Sequence, residues 1–440
     1  MQRLLIIILL GLFLGSCANK NNKPSVAKLN PPNCNCARQN SPIQLPPAGQ
    51  TEPKSTETKD TKAVPDYSLL KPAKWEDIDS LMQDDLTAAW GAWLQSCSTL
   101  PNQPVPNQSA TNQPAPNQPV KNKPNWQPAC SAAKELSKPT NAAIVAYLTA
   151  QFDVYAATSA EGENTGLITG YYEPLLQGSR KQSTQYPYPL YAQPKDIVTV
   201  ELADIYPELK FKRIRGKLID TKQGAKKLIP YLTRAEIEAN PSPLAGSEIV
   251  WINDIIDVFF LHIQGSGLVN LDNGQQVHVG YADQNGHAYN SIGRLLIERG
   301  ELTADQASMQ GIKNWARNNL GQLRDLLNSN PSYVFFRELP AGLPGPLGAL
   351  GVPITAERSV AIDPKYIPLG APLFLSTTQP NSASPLKRLM VAQDTGGAIK
   401  GGVRADFFWG AGDAAGKQAG AMKQQGKIWV LLPKGFVLPK

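Results

Sequence analysis

Histidine and clustered basic residues are scarce in this sequence, and these shortages argue against a metal site and against nucleic-acid binding. Three histidines occur among 440 residues, none of them in an HExxH pattern, and no His/Cys group has metal-site spacing. No block of Lys or Arg and no RNA-binding aromatic motif accompanies the formal net charge of +7. We therefore expect no metal, no organic cofactor and no nucleic acid partner, although the positive charge suits an anionic surface or polymer.

A membrane-spanning run is also missing from the N-terminus. The apolar segment Leu4–Leu14 is too short to cross a bilayer comfortably. Arg3 precedes it and Leu14-Gly15-Ser16-Cys17 follows, which matches a bacterial lipoprotein signal peptide at 1–17. We expect Cys17 to be acylated, and Ala18, in place of an Asp, favours the periplasmic face of the outer membrane. A plain secretory signal with an incidental cysteine is the alternative.

The periplasm is oxidising, so the four remaining cysteines are candidates for disulfides. Cys97 and Cys130 each adjoin a helical segment and flank a low-complexity loop, and we expect them to pair. Cys34 and Cys36 lie in a tail without folding signals, and their state stays open.

The pattern along the chain predicts a mainly β fold with flanking helices. Residues 18–65 are rich in Asn, Pro, Lys and Thr and predict a disordered tether, and 100–128 repeat Pro-Asn-Gln-Pro as an exposed insert. Apolar spacing predicts helices over 75–97, 130–152, 291–298, 303–318 and 414–424. We expect strands at 169–174, 211–219, 249–264, 332–337, 359–362, 372–375, 388–393 and 427–432. Short strands joined by glycine-rich turns favour a compact barrel.

Two acids near the C-terminus carry the strongest chemical signal. Asp394 ends an apolar run, a glycine-rich turn follows, and Asp406 precedes three aromatic residues. Burial and mutual repulsion of two such carboxylates favour a protonated acid near neutral pH, which cleavage of a glycosidic bond requires. Asp394-Thr395-Gly396 also resembles an aspartic protease motif, but those enzymes need two copies and one occurs here. The structural alternatives are an acid capping a tight turn at Asp394 and a solvated strand end at Asp406.

The C-terminal third resembles the three-aspartate barrel of the membrane-bound lytic murein transglycosylase A family. Its three acids match Asp363 in Ala361-Ile362-Asp363-Pro364, Asp394, and Asp406 in Arg404-Ala405-Asp406-Phe407. The resemblance spans roughly 66–440 and includes Gly170-Tyr171-Tyr172, Ile263-Gln264-Gly265-Ser266-Gly267, Tyr281-Ala282, Asn285-Gly286-His287-Ala288-Tyr289, Ser291-Ile292-Gly293, Ser308-Met309-Gln310 and Asn330-Pro331-Ser332-Tyr333-Val334-Phe335-Phe336. The stretch between Asp394 and Asp406 is one residue longer than in familiar members, and Arg404-Ala405 replaces their His-Phe.

The resemblance implies a discontinuous double-psi β-barrel, assigned here to 66–173 and 340–440. A second β-barrel-like domain, 174–339, would be inserted and form the other wall of a groove for peptidoglycan glycan strands. Family members break the β-1,4 bond between N-acetylmuramic acid and N-acetylglucosamine and form a 1,6-anhydro ring without water. The resemblance makes Asp406 the acid and then the base. We expect Asp394 to stay ionised and Asp363 to have a structural or hydrogen-bonding place.

Several further residues are candidates for substrate binding. The aromatic candidates, Tyr171, Tyr172, Tyr281 and Tyr289, offer sugar-stacking faces or belong to the core. Gln264, Ser266 and Gly267 form either a glycan-binding turn or a β-bulge. Lys400 lies between the two acids in the sequence and either holds Asp394 ionised or is a surface lysine.

The alternative function is a catalytically inactive peptidoglycan-binding lipoprotein that keeps the barrel. A lysozyme-like hydrolase would instead need a water site beside the acid. Possible partners beyond the glycan are cell-wall synthesis or division proteins.

Overall fold

The computed structural model describes residues 66–78, 80–100, 124–202, 205, 206, 209, 212 and 214–438. The predicted signal peptide, Cys17, the tether, Cys34, Cys36 and most of the 100–128 insert lie outside the described residues. Within the described ranges, no helix is long and apolar enough to cross a membrane.

These residues form nine α-helices and seventeen β-strands. The helices are α1 Thr87–Thr99, α2 Gln127–Glu135, α3 Asn141–Gln151, α4 Arg234–Ala239, α5 Ile255–Gln264, α6 Ile292–Glu298, α7 Met309–Asn318, α8 Leu320–Asn328 and α9 Gly412–Ala421. The strands are β1 Leu70–Ala73, β2 Phe152–Ala157, β3 Gly166–Glu173, β4 Leu175–Ser179, β5 Tyr188–Tyr191, β6 Ile197–Thr199, β7 Arg215–Asp220, β8 Lys226–Pro230, β9 Glu248–Ile252, β10 Ser266–Leu271, β11 Gln276–Gln284, β12 Val334–Glu338, β13 Ser359–Ile362, β14 Pro372–Thr378, β15 Pro385–Thr395, β16 Ala405–Ala411 and β17 Lys423–Pro433.

Six strands close into a barrel, in the order β17-β14-β15-β13-β16-β3, and β3 pairs back onto β17. Strands β1 and β2 continue the sheet outward from β17. The side chains of β16 point alternately to its two faces. Ala405 and Phe407 are fully buried in the main core, whereas Asp406 and Phe408 lie on the other face. The alternation therefore lets one strand serve both the barrel core and a polar site.

The middle of the chain forms two further sheets. One has the order β12-β11-β10-β4-β9-β5, and a parallel bridge between Ala192 and Phe336 links its two ends. The other is the small sheet β6-β7-β8. Helices α5 to α8 share a separate apolar core that includes Phe259 and Trp315. The predicted fold class, mainly β with flanking helices and a barrel, is confirmed.

A disulfide joins α1 to α2. Cys97 and Cys130 are bonded, with their Cα atoms 5.2 Å apart. Beside it, the Trp93 indole donates to the Tyr147 hydroxyl at 2.9 Å, and that hydroxyl donates to the Ala129 carbonyl at 2.8 Å. The bond and this buried chain of donors connect α1, α2 and α3.

The prediction of one strand over 249–264 is wrong, because β9 ends at Ile252 and helix α5 follows. The Asp254 side chain accepts from the Ile256 N–H and begins the helix, and Gly265, with φ of 83°, ends it. The run from Ile255 to Leu261 is apolar except for Asp257 and most of it is buried, so its pattern does not separate a helix from a buried strand. Ser266 and Gly267 therefore begin β10 and do not end a strand.

Other predicted boundaries also differ. Helix α1 begins at Thr87, twelve residues later than the predicted 75–97, and two single 3-10 turns, Trp75–Asp77 and Leu81–Gln83, precede it. Strand β7 begins at Arg215, four residues later than the predicted 211–219, although part of 211–214 lies outside the described residues. Helix α7 begins at Met309, six residues later than the predicted 303–318. The Ser308 hydroxyl accepts from the Gly311 N–H there, and this N-cap sets the first turn.

Candidate active site

Four neighbouring strands bring the key residues into one row on the outer face of the barrel. Asp406 on β16 pairs with Thr169 on β3, and Ala361 on β13 pairs with both Asp406 and Asp394. Adjacent strands lie about 4.8 Å apart, so the Cα atoms of the two acids are roughly 10 Å apart. The small side chain of Ala361 lies between them. Residues far apart in the chain therefore meet through strand register alone.

Asp406 lies in surroundings that favour its protonated form. Burial is the largest cause and raises the pKa of Asp406 from its usual 3.8 to about 6. The hydrogen bond from Thr169 and the charge of Arg404 oppose the rise, whereas the charge of Asp394 adds to it. At mildly acidic pH the carboxyl can therefore both give up and take back a proton.

Thr169 and Arg404 orient this carboxyl. The Thr169 hydroxyl donates to Asp406 Oδ1 at 2.6 Å and accepts from Arg404 Nη2 at 2.9 Å. Arg404 Nη1 also donates to the Ala405 carbonyl at 2.6 Å. Asp406 Oδ2 has no hydrogen-bond partner among the described residues, so the acidic proton belongs on that oxygen. Sequence reasoning missed Thr169 altogether and left Arg404 unplaced, because only the β3–β16 register brings the three together.

Asp394 has the opposite surroundings, since three donors stabilise its charge. Its Oδ2 accepts from the Tyr171 hydroxyl at 3.0 Å, and its Oδ1 accepts from the backbone N–H groups of Ala349 and Thr395 at 2.9 and 2.8 Å. Burial, with the charges of Asp394 and Asp406, raises the pKa of Tyr171 well above its usual range, so its hydroxyl stays a donor. Ala349 belongs to the 341–351 segment, which the sequence marks only as a linker.

Asp363, the third acid, is buried and holds loops in place. Its Oδ2 accepts from the Gly401 N–H at 3.0 Å and its Oδ1 from the Lys365 N–H at 3.2 Å. The Lys400 ammonium lies 4.0 Å from Asp363 Oδ1, and its side chain is 59% exposed. The structure therefore places Lys400 beside Asp363 and not beside Asp394, where the sequence suggested it. Asp363 anchors the glycine-rich loop that leads from Asp394 to Asp406.

Three of the predicted substrate-binding residues line a cavity of about 380 Å³ between the barrel and helices α5 to α7. They are Tyr172, Gln264 and Tyr289. Gln264 Oε1 accepts from the Tyr172 backbone N–H at 3.0 Å and ties α5 to β3. The cavity therefore begins on the same strand that carries Thr169.

Ser266, Gly267 and Tyr281 are not among the residues that line this cavity. Ser266 and Gly267 pair with β11 through Gly280 and Val279, without a register shift at that point. A Cβ atom at Gly267 would lie 2.6 Å from Leu261 Cδ1 and 3.0 Å from Leu176 Cδ1, so these leucines pack directly onto the glycine. Tyr281 packs against the core of the inserted sheet. These three residues shape the sheet next to the site.

The arrangement suits acid–base chemistry at a glycosidic bond. It offers one carboxyl with a raised pKa, Asp406, and one that accepts several hydrogen bonds, Asp394, beside apolar side chains such as Phe408. Among the described residues, no group of three His, Cys, Asp or Glu side chains could hold a metal ion.

Comparison with known proteins matches two family models to the chain. A family model described as the MltA specific insert domain matches residues 167–337, and one described as the 3D domain matches residues 358–432. The membrane-bound lytic murein transglycosylase A of Escherichia coli strain K12 is 35% identical over 292 residues, which cover 64% of this chain and 70% of the relative.

Solved structures agree with this relationship. The crystal structure of MltA from Neisseria gonorrhoeae, monoclinic form, has a TM-score of 0.67 and 34% identity, covering 84% of this chain and 93% of its own. That of E. coli MltA with bound chitohexaose has a TM-score of 0.56 and 27% identity, covering 78% of this chain and 89% of its own.

Proposed function

Because the chain belongs to the membrane-bound lytic murein transglycosylase A family, whose members degrade peptidoglycan, we propose that it cleaves the β-1,4 bond between N-acetylmuramic acid and N-acetylglucosamine and leaves a 1,6-anhydromuramoyl end. One observation carries the proposal: Asp406, with a pKa of about 6, lies two strands from the hydrogen-bonded carboxylate of Asp394. The family membership excludes the aspartic protease that Asp394-Thr395-Gly396 allowed.

In the first step Asp406 acts as the acid. Its Oδ2 gives the proton to the glycosidic oxygen, the bond from that oxygen to muramoyl C1 breaks, and the N-acetylglucosamine leaves as an alcohol. Positive charge develops on C1 and the ring oxygen. The carboxylate of Asp394, held by hydrogen bonds from Tyr171, Ala349 and Thr395, stabilises this charge.

In the second step Asp406, now a carboxylate, acts as the base. It takes the proton of the muramoyl C6 hydroxyl while that oxygen bonds to C1 and closes the anhydro ring. The proton is then back on Asp406 and no water has been consumed. One carboxyl suffices for both steps because the nucleophile belongs to the substrate.

The remaining assignments extend the same proposal. The glycan strand lies between the barrel part, 66–173 and 340–440, and the insert 174–339, where the E. coli relative with chitohexaose supports a groove for an oligosaccharide. The relatives are membrane-bound by name. A lipid on Cys17 would hold this chain at the periplasmic face of the outer membrane, within reach of the glycan and of cell-wall synthesis or division proteins.

The test is incubation of the acylated protein with purified sacculi and mass spectrometry of the released muropeptides. We expect products about 20 mass units lighter than the reduced products of hydrolysis. The anhydro end lacks one water molecule, and it takes up no hydrogen on reduction because it has no reducing end. Reducing ends would indicate a lysozyme-like hydrolase. Binding without release would indicate the catalytically inactive lipoprotein.

A further inference from the structure

The cavity between the barrel and α5 to α7 has an apolar floor that the proposed chemistry does not use. Its volume of about 380 Å³ lies at the low end for small-ligand sites. Phe260, Ile263, Ile292, Met309 and Ile312 supply most of the apolar lining. Such a floor suits small aliphatic groups.

The polar side chains around this floor are mainly donors. Lys423, Arg294 and Gln264 line the cavity, and no Asp or Glu is among the lining residues. Arg294 is paired with Glu298 at 2.8 Å, whereas Lys423 has no acidic partner among the described residues. Gln264 uses its Oε1 on the Tyr172 N–H, which leaves its Nε2 donors for a ligand. The cavity is therefore built for an anion that carries apolar groups.

Strand register places this cavity next to the acid. Lys423 is the Cα partner of Thr169 in the β3–β17 pair, and Thr169 donates to Asp406. The pairing with β17 ends there, and the next residue of β3, Gly170, lines the cavity. Lys423 and Gly170 therefore place the cavity beside Thr169, the residue that donates to Asp406.

We propose that the cavity binds the stem peptide of the muramoyl residue held at Asp406, with a peptide carboxylate on Lys423 and Gln264 and methyl side chains on the apolar floor. This inference rests on the proposed function. Another sugar ring fits less well, because the floor is apolar and no Asp or Glu lines the cavity to accept from several hydroxyls. The site would favour peptide-bearing strands over denuded strands.

The first test replaces Lys423 with methionine, which keeps the length of the side chain and removes the charge. The acylated full-length protein is assayed on peptide-bearing glycan strands and on strands stripped by an amidase. The ratio of kcat/KM for peptide-bearing over stripped strands should fall about fivefold, as expected for one partly exposed ion pair. Lys427→Met, on an exposed position of the same strand outside the cavity, should leave the ratio unchanged.

The second test fills the cavity from the barrel side. A Cβ at Gly420 would meet nothing closer than Met309 at 3.8 Å, so Gly420→Leu is accommodated and projects beside the floor. We expect the same ratio to fall at least about tenfold, because peptide side chains lose their place. Gly321→Leu, where a Cβ meets nothing within 4 Å on a helix outside the cavity, is the matched control.

The outcomes separate this inference from the function on which it rests. Equal losses on both substrates would make the cavity a glycan subsite and overturn the peptide assignment, as would an unchanged ratio in both variants. A wild-type protein that cleaves neither substrate would instead defeat the proposed function itself.

Discussion

The two carboxyls on the outer face of the barrel occupy the same row of strands but opposite chemical environments. Among the described residues Asp406 accepts one hydrogen bond, from the Thr169 hydroxyl, and burial raises its pKa to about 6. Asp394, on the far side of Ala361, accepts from one hydroxyl and two backbone N–H groups. The residue type is identical, so the neighbours alone make the two environments differ, and the proposed division into acid and anion follows from them.

This division also has a spatial cause. The backbone donors to Asp394 come from the loop that holds Ala349 and from Thr395, the next residue of β15. Asp406 lies between β3 and β13 and accepts instead from a side chain, the Thr169 hydroxyl. Burial outweighs that one donor and raises the pKa of Asp406.

Replacing Asp406 with Asn should have the largest effect. The amide cannot give or take the proton, so release of anhydromuropeptides should fall by about 10³-fold or more. Mass spectrometry of sacculus digests measures the loss. The matched control is Asp153→Asn, at an exposed position of β2 in the same sheet, and it should retain full activity. If Asp406→Asn turned over at nearly the wild-type rate, Asp406 would not be the catalytic acid.

Asp394→Asn should cost about 10²-fold, because the developing positive charge loses its anionic neighbour. The substitution should also move the pH profile. The charge of Asp394 raises the pKa of Asp406, so its removal lowers that pKa and shifts the fall of kcat/KM to lower pH. A pH–rate profile measures this shift. An unmoved profile would mean that the two carboxyls are not electrostatically coupled.

The raised pKa of Asp406 should also make the free energy of unfolding depend on pH. The pKa of Asp406 is about 6 in the folded protein, above its usual 3.8. The protonated carboxyl therefore contributes to the free energy of unfolding fully below pH 3.8, and this contribution is lost as the pH rises through about 6. Relative to Asp406→Asn, which does not titrate, the wild-type protein should lose about 2 kcal/mol of unfolding free energy between pH 4 and pH 8. Denaturant unfolding at both pH values measures it. A constant difference between the two proteins would contradict the raised pKa.

Much of the barrel follows from local sequence patterns. Strand 359–362 is found at the predicted bounds, and the strands predicted at 372–375, 388–393 and 427–432 lie within longer observed ones. Glycine-rich turns and β-branched or aromatic runs mark these elements directly. The acids themselves stand at strand ends or in alternation, where a polar residue in an apolar run is conspicuous. Local pattern therefore suffices for these strands, and it is what draws attention to Asp394 and Asp406.

The rest depends on register, which local pattern does not encode. Thr169 and Asp406 are 237 residues apart, and only the parallel pairing of β3 with β16 makes them neighbours. Helix α5 is buried on most sides, so its sequence lacks the periodicity that distinguishes a helix from a strand. The two misses share a cause, because each depends on tertiary packing around the segment.

Thr169→Val should have the smallest effect and the opposite sign to Asp394→Asn. The Thr169 hydrogen bond lowers the pKa of Asp406, so its loss raises that pKa and moves the fall of kcat/KM to higher pH. Turnover should also drop about fivefold, since Oδ1 is no longer held and Arg404 loses its acceptor. Thr377→Val removes a hydrogen bond to the Gln425 carbonyl in the same barrel. This control should reduce stability but leave the pH profile unchanged. If both valine variants gave the same pH profile, Thr169 would not influence the pKa of Asp406.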